Sequence, residues 1–238
     1  MVLRTVAPAS AGSRIVVVAA NWHGSHVPAS ATDSAGNAYT RHALISNSKE
    51  RLAIFSADAP GGLPVDSPIT VTWSGNSSYT RVMAASFTGI AATNALDKAN
   101  TAAPSGSGAV WVTGPVSTTA SEALLVGAAG SAGDRTSTPG AGWTEIHDVH
   151  SASADEGTTT VYRTVSSTGT YEATGTWSSA ALRTGAIVAF RSAGGFARLD
   201  GGSVFSAVRA LQLGARKSSQ RAAASAYRRR HSRASVRG

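Results

Sequence analysis

One β-hairpin is written twice in this chain. Residues 69–87 read ITVTWSGNSSYTRVMAASF, and residues 171–190 read YEATGTWSSAALRTGAIVAF. Each closes an alternating segment on Trp, passes a small polar turn and an Arg, and runs through small apolar residues to Phe. The likeness extends upstream. SRIVVVAANW (13–22) answers SEALLVGAAG (121–130), AGNAYTRHALI (35–45) answers GAGWTEIHDVH (140–150), and RLAIFSADA (51–59) answers TTTVYRTVS (158–166). Tyr39 is matched with Trp143, Phe55 with Tyr162, Trp73 with Trp177 and Phe87 with Phe190, at spacings of 103 to 107 residues. Four blocks repeated in one order mark an internal duplication.

The blocks read as strands. Ile69, Val71 and Trp73 share one parity against Thr70, Thr72 and Ser74, and Tyr171, Ala173, Gly175 and Trp177 share one against Glu172, Thr174 and Thr176. A period of two predicts a sheet with one wet face. DSAGN, APGGLP, SGNSS and STPGAG supply the turns between strands. One copy alone would leave its apolar face in water, whereas two facing copies bury it. The expected fold is all-β: a two-sheet antiparallel β-sandwich, jelly-roll-like, over residues 1–192, with halves at about 13–90 and 121–192 and about ten strands. Trp73, Trp143 and Trp177 are expected in its core, residues 93–108 as the loop between copies, and residues 2–7 as a short extra strand.

Charge divides the chain differently. Residues 1–195 hold 11 Lys and Arg against 12 Asp and Glu, while residues 196–238 hold 10 against Asp200 alone. The net charge of +8 therefore belongs to a basic appendage, residues 193–238, and not to a basic face of the body. In that appendage Asp200 or Ser203 is placed to cap a short helix, with Val204, Val208, Leu211 and Ala215 on one face and Arg209 and Arg216 on another. Residues 216–238, rich in Arg, Ser and Ala, cannot build a core, so the tail is expected to be helical at first and disordered beyond. Val204, Val208 and Leu211, with Arg228, Arg229 and Arg230, are the candidate docking residues for a partner in an assembly. YRRRHSR offers nucleic-acid binding as the alternative.

Several chemistries are excluded or disfavoured. Without cysteine there is no disulfide framework, thiolate metal site or Cys nucleophile. IVVVAA is too short for a secretory signal, and nothing approaches the ~20 apolar residues of a membrane span. Synthesis in the cytoplasm and no membrane span are the expectations. G-x-S-x-G, H-E-x-x-H, Walker and dinucleotide signatures are all missing. A carboxylate pair for glycoside hydrolysis depends on spatial separation, and the few acids fall mostly in turns. No catalytic residue, metal or cofactor is assigned.

Four groups of residues invite a site. His23 with His26, and His147 with His150, suggest metal ligands, but an i,i+3 spacing on a strand sends His147 and His150 to opposite faces. Asp33, Asp148, Asp155 and Glu156 suggest calcium, yet Asp33 and Asn37 equally make a hairpin turn. Trp22, His23, His26 and Trp111 form the candidate ligand surface, with the two tryptophans expected on exposed loops. Aromatic faces of this kind suit sugars.

The segments AGSRIVVVAANW, TDSAGNAYTR, VMAASFTGIAATNALD, ALLVGAAG and GTYEATGTWSSAALRTGAIVAFR, in this order, resemble a group of bacterial and phage β-sandwich proteins of jelly-roll or concanavalin-like shape. The likeness covers about residues 10–192 and rests on packing and turn patterns. It implies a surface-exposed module of a phage tail or adhesion protein of high-GC hosts. The expected function is then a non-enzymatic virion structural protein (minor tail, fibre or capsid decoration) attached through its C-terminal segment. Its expected partners are other virion proteins in an oligomeric assembly, with a host-surface glycan as a further one. The alternatives are a secreted carbohydrate-binding or adhesion module, located outside the cell, and a jelly-roll coat protein whose Arg-rich arm binds nucleic acid.

Overall fold

The computed structural model describes residues 1–22, 25–47, 50–152, 155–195 and 197–209, and for 201–209 the backbone alone. From the first copy come β1 (Val2–Arg4), β2 (Ser13–Trp22), β3 (Pro28–Asp33), β4 (Thr40–Ser46), β5 (Glu50–Ala59), β6 (Pro68–Trp73) and β7 (Thr80–Thr88), followed by β8 (Leu96–Ala102). From the second come β9 (Gly108–Val112), β10 (Val116–Ser117), β11 (Ala123–Ala132), β12 (Ser137–Pro139), β13 (Thr144–Ser151), β14 (Glu156–Val165), β15 (Thr170–Tyr171), β16 (Thr174–Ala181) and β17 (Arg183–Arg191), followed by β18 (Arg198–Arg209). Among the described residues the pairings between these strands are antiparallel.

The fold is an all-β sandwich, thickened to four layers. Two five-stranded sheets, β18-β7-β2-β5-β4 and β13-β14-β11-β17-β8, face each other. Between them Val16, Val18, Leu52, Ile54 and Phe87 meet Leu124, Val126, Val188 and Phe190. The three-stranded sheet β1-β6-β3 covers the other face of the first, where Ile15, Val17 and Phe55 pack on Leu3, Ile69 and Val71. The sheet β12-β16-β9 covers the second in the same way, with Leu125, Val161 and Ile187 on Trp111 and Trp177. β10 and β15 pair as a separate short ribbon.

This corrects the expectation of sheets with one wet face. Every residue of β2 is buried, and nine of ten in β11. A strand covered on both faces needs no polar alternation, so it reads as a continuous apolar run, which is what IVVVAA and ALLVGAA are. Alternation is kept on outer strands such as β6, where Ile69 and Val71 are buried while Thr70 and Thr72 are not.

Registers refine the duplication. Phe87 pairs with Arg14 and Phe190 with Leu124; Trp22 pairs with Glu50 and Ala132 with Glu156. Taking Phe87 and Phe190 as equivalent, Arg14 matches Leu124, Glu50 matches Glu156, and Arg81 matches Thr184. The sequence alignment of β2 with β11 was thus two residues out, a slip that keeps every side chain on its face.

Each copy's closing strand crosses to the other copy. β8, after the first copy, pairs with β17 of the second, and β18, after the second, pairs with β7 of the first. Leu96 lies opposite Phe190 as Leu199 lies opposite Phe87, so Leu96-Asp97 and Leu199-Asp200 are equivalent pairs. Both aspartates hold the turn that leads into a central strand. Asp200 accepts from Ser10 N (2.6 Å) and Oγ (2.8 Å) and from Ser86 Oγ (3.2 Å). Asp97 accepts from Thr119 N (2.7 Å) and Oγ1 and from Ala120 N, and meets Arg191 at 2.8 Å. The segment 93–108, read as a loop, therefore contains an edge strand.

The tail expectation is corrected in the same place. Val204 and Val208 lie in β18, paired with Ala85 and Arg81, not on a helix. The open edge of β7 carries unpaired N–H and C=O groups that a helix could not satisfy. Residues 198–209 thus complete the sandwich instead of standing apart from it. Leu211, Arg228, Arg229 and Arg230 lie outside the described residues.

Candidate functional site

The starts of β5, β7, β14 and β17 and the ends of β2 and β11 meet at one end of the stack, as the pairs Asn21–Thr80 and Ser131–Arg183 require. In the central layer there, Arg81 reaches Glu50 Oε1 through Nη2 (3.1 Å) and Glu156 Oε2 through Nη1 (2.6 Å). All three side chains are fully buried. The cluster joins the copies: Glu50 and Arg81 come from the first, Glu156 from the second. Burial pushes the Glu50 carboxyl up to about 7 against the pull of Arg81. Burial likewise pushes Glu156 up to about 8, opposed by Arg81 and reinforced by Glu50. Space for Glu50 exists because residue 130 is Gly. A Cβ there would stand 1.8 Å from Glu50 Oε1.

Above the cluster, at the same end, an open cleft of about 700 Å³ is lined by Thr70, Thr72, Trp73, Asn76, Ser77 and Thr80 among others. None of its lining side chains is ionisable. Trp73 points inward from β6, as its parity requires, but is only half-buried. Its Nε1 donates to Asn21 Oδ1 (3.0 Å), and Asn21 Nδ2 donates to the His26 carbonyl (3.0 Å). The loop after it is held by Ser74 N donating to Val27 O (3.0 Å) and Val27 N donating to Ser74 Oγ (3.1 Å). Gly75 lies against the His26 ring, so close that a Cβ would fall 2.4 Å from it. Tyr79 closes the loop at φ 53°, a left-handed backbone unusual for so bulky a residue and of the kind that gathers at binding sites.

The structure overturns half of the expected ligand surface. Trp22 is 3% exposed and Trp111 0%. Trp22 ends a strand buried on both faces, and Trp111 on β9 packs against Trp177 with ring centroids 6.2 Å apart. Gly175 makes that packing possible, since its Cβ would lie 2.3 Å from the Trp111 ring. His26 is half-buried at the foot of the cleft loop, and His23 lies outside the described residues. Trp73, expected to be sealed in the core, is the tryptophan that reaches the cleft. Its hairpin SGNSSY carried the signal, because the matching turn of the second copy is two residues shorter between Trp and Arg.

Of the other candidates, His147 is buried on β13 while His150 is exposed and meets Asp134 Oδ1 at 2.6 Å. Asp33 accepts from Ala35 N, Asn37 N, Asn37 Nδ2 and Tyr39 Oη, so it organises the turn. Asp148 accepts from Ser137 N, and Glu156 belongs to the buried cluster. Among the described residues no group of three His, Cys, Asp or Glu is placed to hold a metal ion, and no helix is long and apolar enough to cross a membrane. Comparison with protein-family models, curated proteins and solved structures gives no match.

Proposed function

We propose that this chain is a non-enzymatic structural module of a phage virion, of the minor tail, fibre or decoration type, attached through its C-terminal segment. The observation that carries the reading is the interlocked double sandwich. Its closing strands are exchanged between copies, and its best-built polar cluster is sealed inside, where it braces the fold and meets no substrate. A basic segment beyond β18 supports attachment, and the sequence likeness to bacterial and phage surface modules supports the setting. β18 itself belongs to the fold, so the attaching segment starts after residue 209. Antibody against the chain should label phage particles purified from cells that carry its gene. Truncation after residue 209 should leave the protein folded and absent from those particles. Full-length protein found free of every particle contradicts the reading.

The cleft beside Trp73 favours a second reading, a carbohydrate-binding or adhesion module. An indole flanked by hydroxyl and amide side chains, none of them ionisable, suits a neutral sugar. Quenching of tryptophan fluorescence by neutral oligosaccharides, lost in Asn76→Ala, supports it; an unchanged spectrum across such a panel contradicts it.

A further inference from the structure

Two carboxyls and one guanidinium cannot all be ionised in a closed apolar layer without leaving a net negative charge there, a costly state away from water. One proton makes the cluster neutral. We propose that Glu50, Arg81 and Glu156 act as a proton-operated clamp between the two copies, closed by one shared proton and loosened when alkaline solution removes it.

Glu50 comes from β5, Arg81 from β7 and Glu156 from β14, with Asp155 just before it adding negative charge near Glu156. From β17 comes the neutral hydroxyl of Thr184, buried on the same face. β11 offers Gly130, which has no side chain, and β2 offers Ala20. β13 beside β14 carries His147, on the residue paired with Thr160. Arg51 and Arg183 neighbour the cluster in sequence, but strand alternation turns them to the outer layers, where Arg183 lies against Gly108. Among the described residues Arg81 is thus the cation ion-paired to both carboxyls, and Thr184 stands where symmetry would have placed a second.

Both carboxyls are pushed above their ordinary value by burial. The folded chain therefore holds a proton that the unfolded chain has released, and stability is greatest below the ordinary glutamate range and falls as pH rises through 4.5 toward about 8. His42 works against this on the acid side. Burial, then Arg14, lowers it to about 4, so its contribution is lost as pH falls below 6.5. Comparing wild type with a variant of the cluster cancels that effect.

Two measurements test the clamp. Infrared spectra of the wild-type protein with isotope-labelled glutamate, taken near pH 6, should show the carbonyl band of a protonated, buried carboxylic acid; a spectrum of ionised carboxylates alone overturns the proposal. Unfolding curves between pH 5 and pH 9 should show the wild-type unfolding constant rising on the order of a hundredfold relative to Glu156→Gln. Parallel curves for the two proteins overturn it. The infrared arm needs no variant, so a Gln substitution that fails to fold leaves the test intact.

Discussion

The two copies share their central strands and differ in what fills them. Position 81 is Arg in the first copy and its counterpart, 184, is Thr in the second, so two equivalent glutamates share one cation. Trp177 is sealed by Trp111, whereas the equivalent Trp73 keeps part of its ring on an open cleft. Where the copies agree they make architecture: the paired inner sheets, the exchanged closing strands and the Leu-Asp locks. Where they disagree they differ in charge and in exposure. The first copy carries the cleft and Arg81, and the second carries Trp177 and Thr184 at the matching places, with Trp111 filling the space beside Trp177.

Substitutions at equivalent positions should expose that division. The largest effect is expected at the tryptophans. Trp111→Ala and Trp177→Ala should each cost about 3–5 kcal/mol in chemical denaturation, the penalty for emptying a sealed aromatic site. Trp73→Ala should cost clearly less, since its ring already meets solvent; equal losses at 73 and 177 would erase the contrast. Next comes the pair Gly130 and Ala20, equivalent residues of the inner sheets. Gly130→Ala drives a Cβ into Glu50 and should cost about 1–3 kcal/mol, as overpacking does. Ala20→Gly should cost about 1 kcal/mol or less. The smallest difference between the copies is expected where they match. Asp97→Ala and Asp200→Ala each remove hydrogen bonds to a turn before a central strand, and each should lower stability by about 1–3 kcal/mol. Thermal melts in which only one of the two matters would break the equivalence of the locks.

Much of the fold was legible and much of the site was not. The duplication, the turn built on Asp33, the short strand at Val2–Arg4 and the facing of the two copies all follow from local pattern. Layer number did not follow, because Thr158, Thr159 and Thr160 are buried on β14 while reading as polar. Strand exchange was invisible for a different reason. LDKANTA and RLDGGSVFSAVR look like a loop and a helix until the open edges of β17 and β7 are there to pair them, a tertiary demand that overrides local propensity. The ionic cluster is likewise assembled from Glu50, Arg81 and Glu156, distant in sequence, and only the registers of β5, β7 and β14 bring them together. Trp22 and Trp111 read as exposed because they flank segments that look like loops. Their burial depends on layers that no local pattern announces.

The exchange of closing strands is the centre of this account, and a chain without cysteine lets it be tested cleanly. Thr88 on β7 and Arg198 on β18 are cross-strand partners, at a separation that a disulfide can span in an antiparallel pair. The double variant Thr88→Cys with Arg198→Cys should oxidise to a monomer with one internal cross-link, detected by its faster migration before reduction and by the linked peptide after digestion. Recovery of reduced monomer only, or of cross-linked dimers in its place, would contradict the exchange.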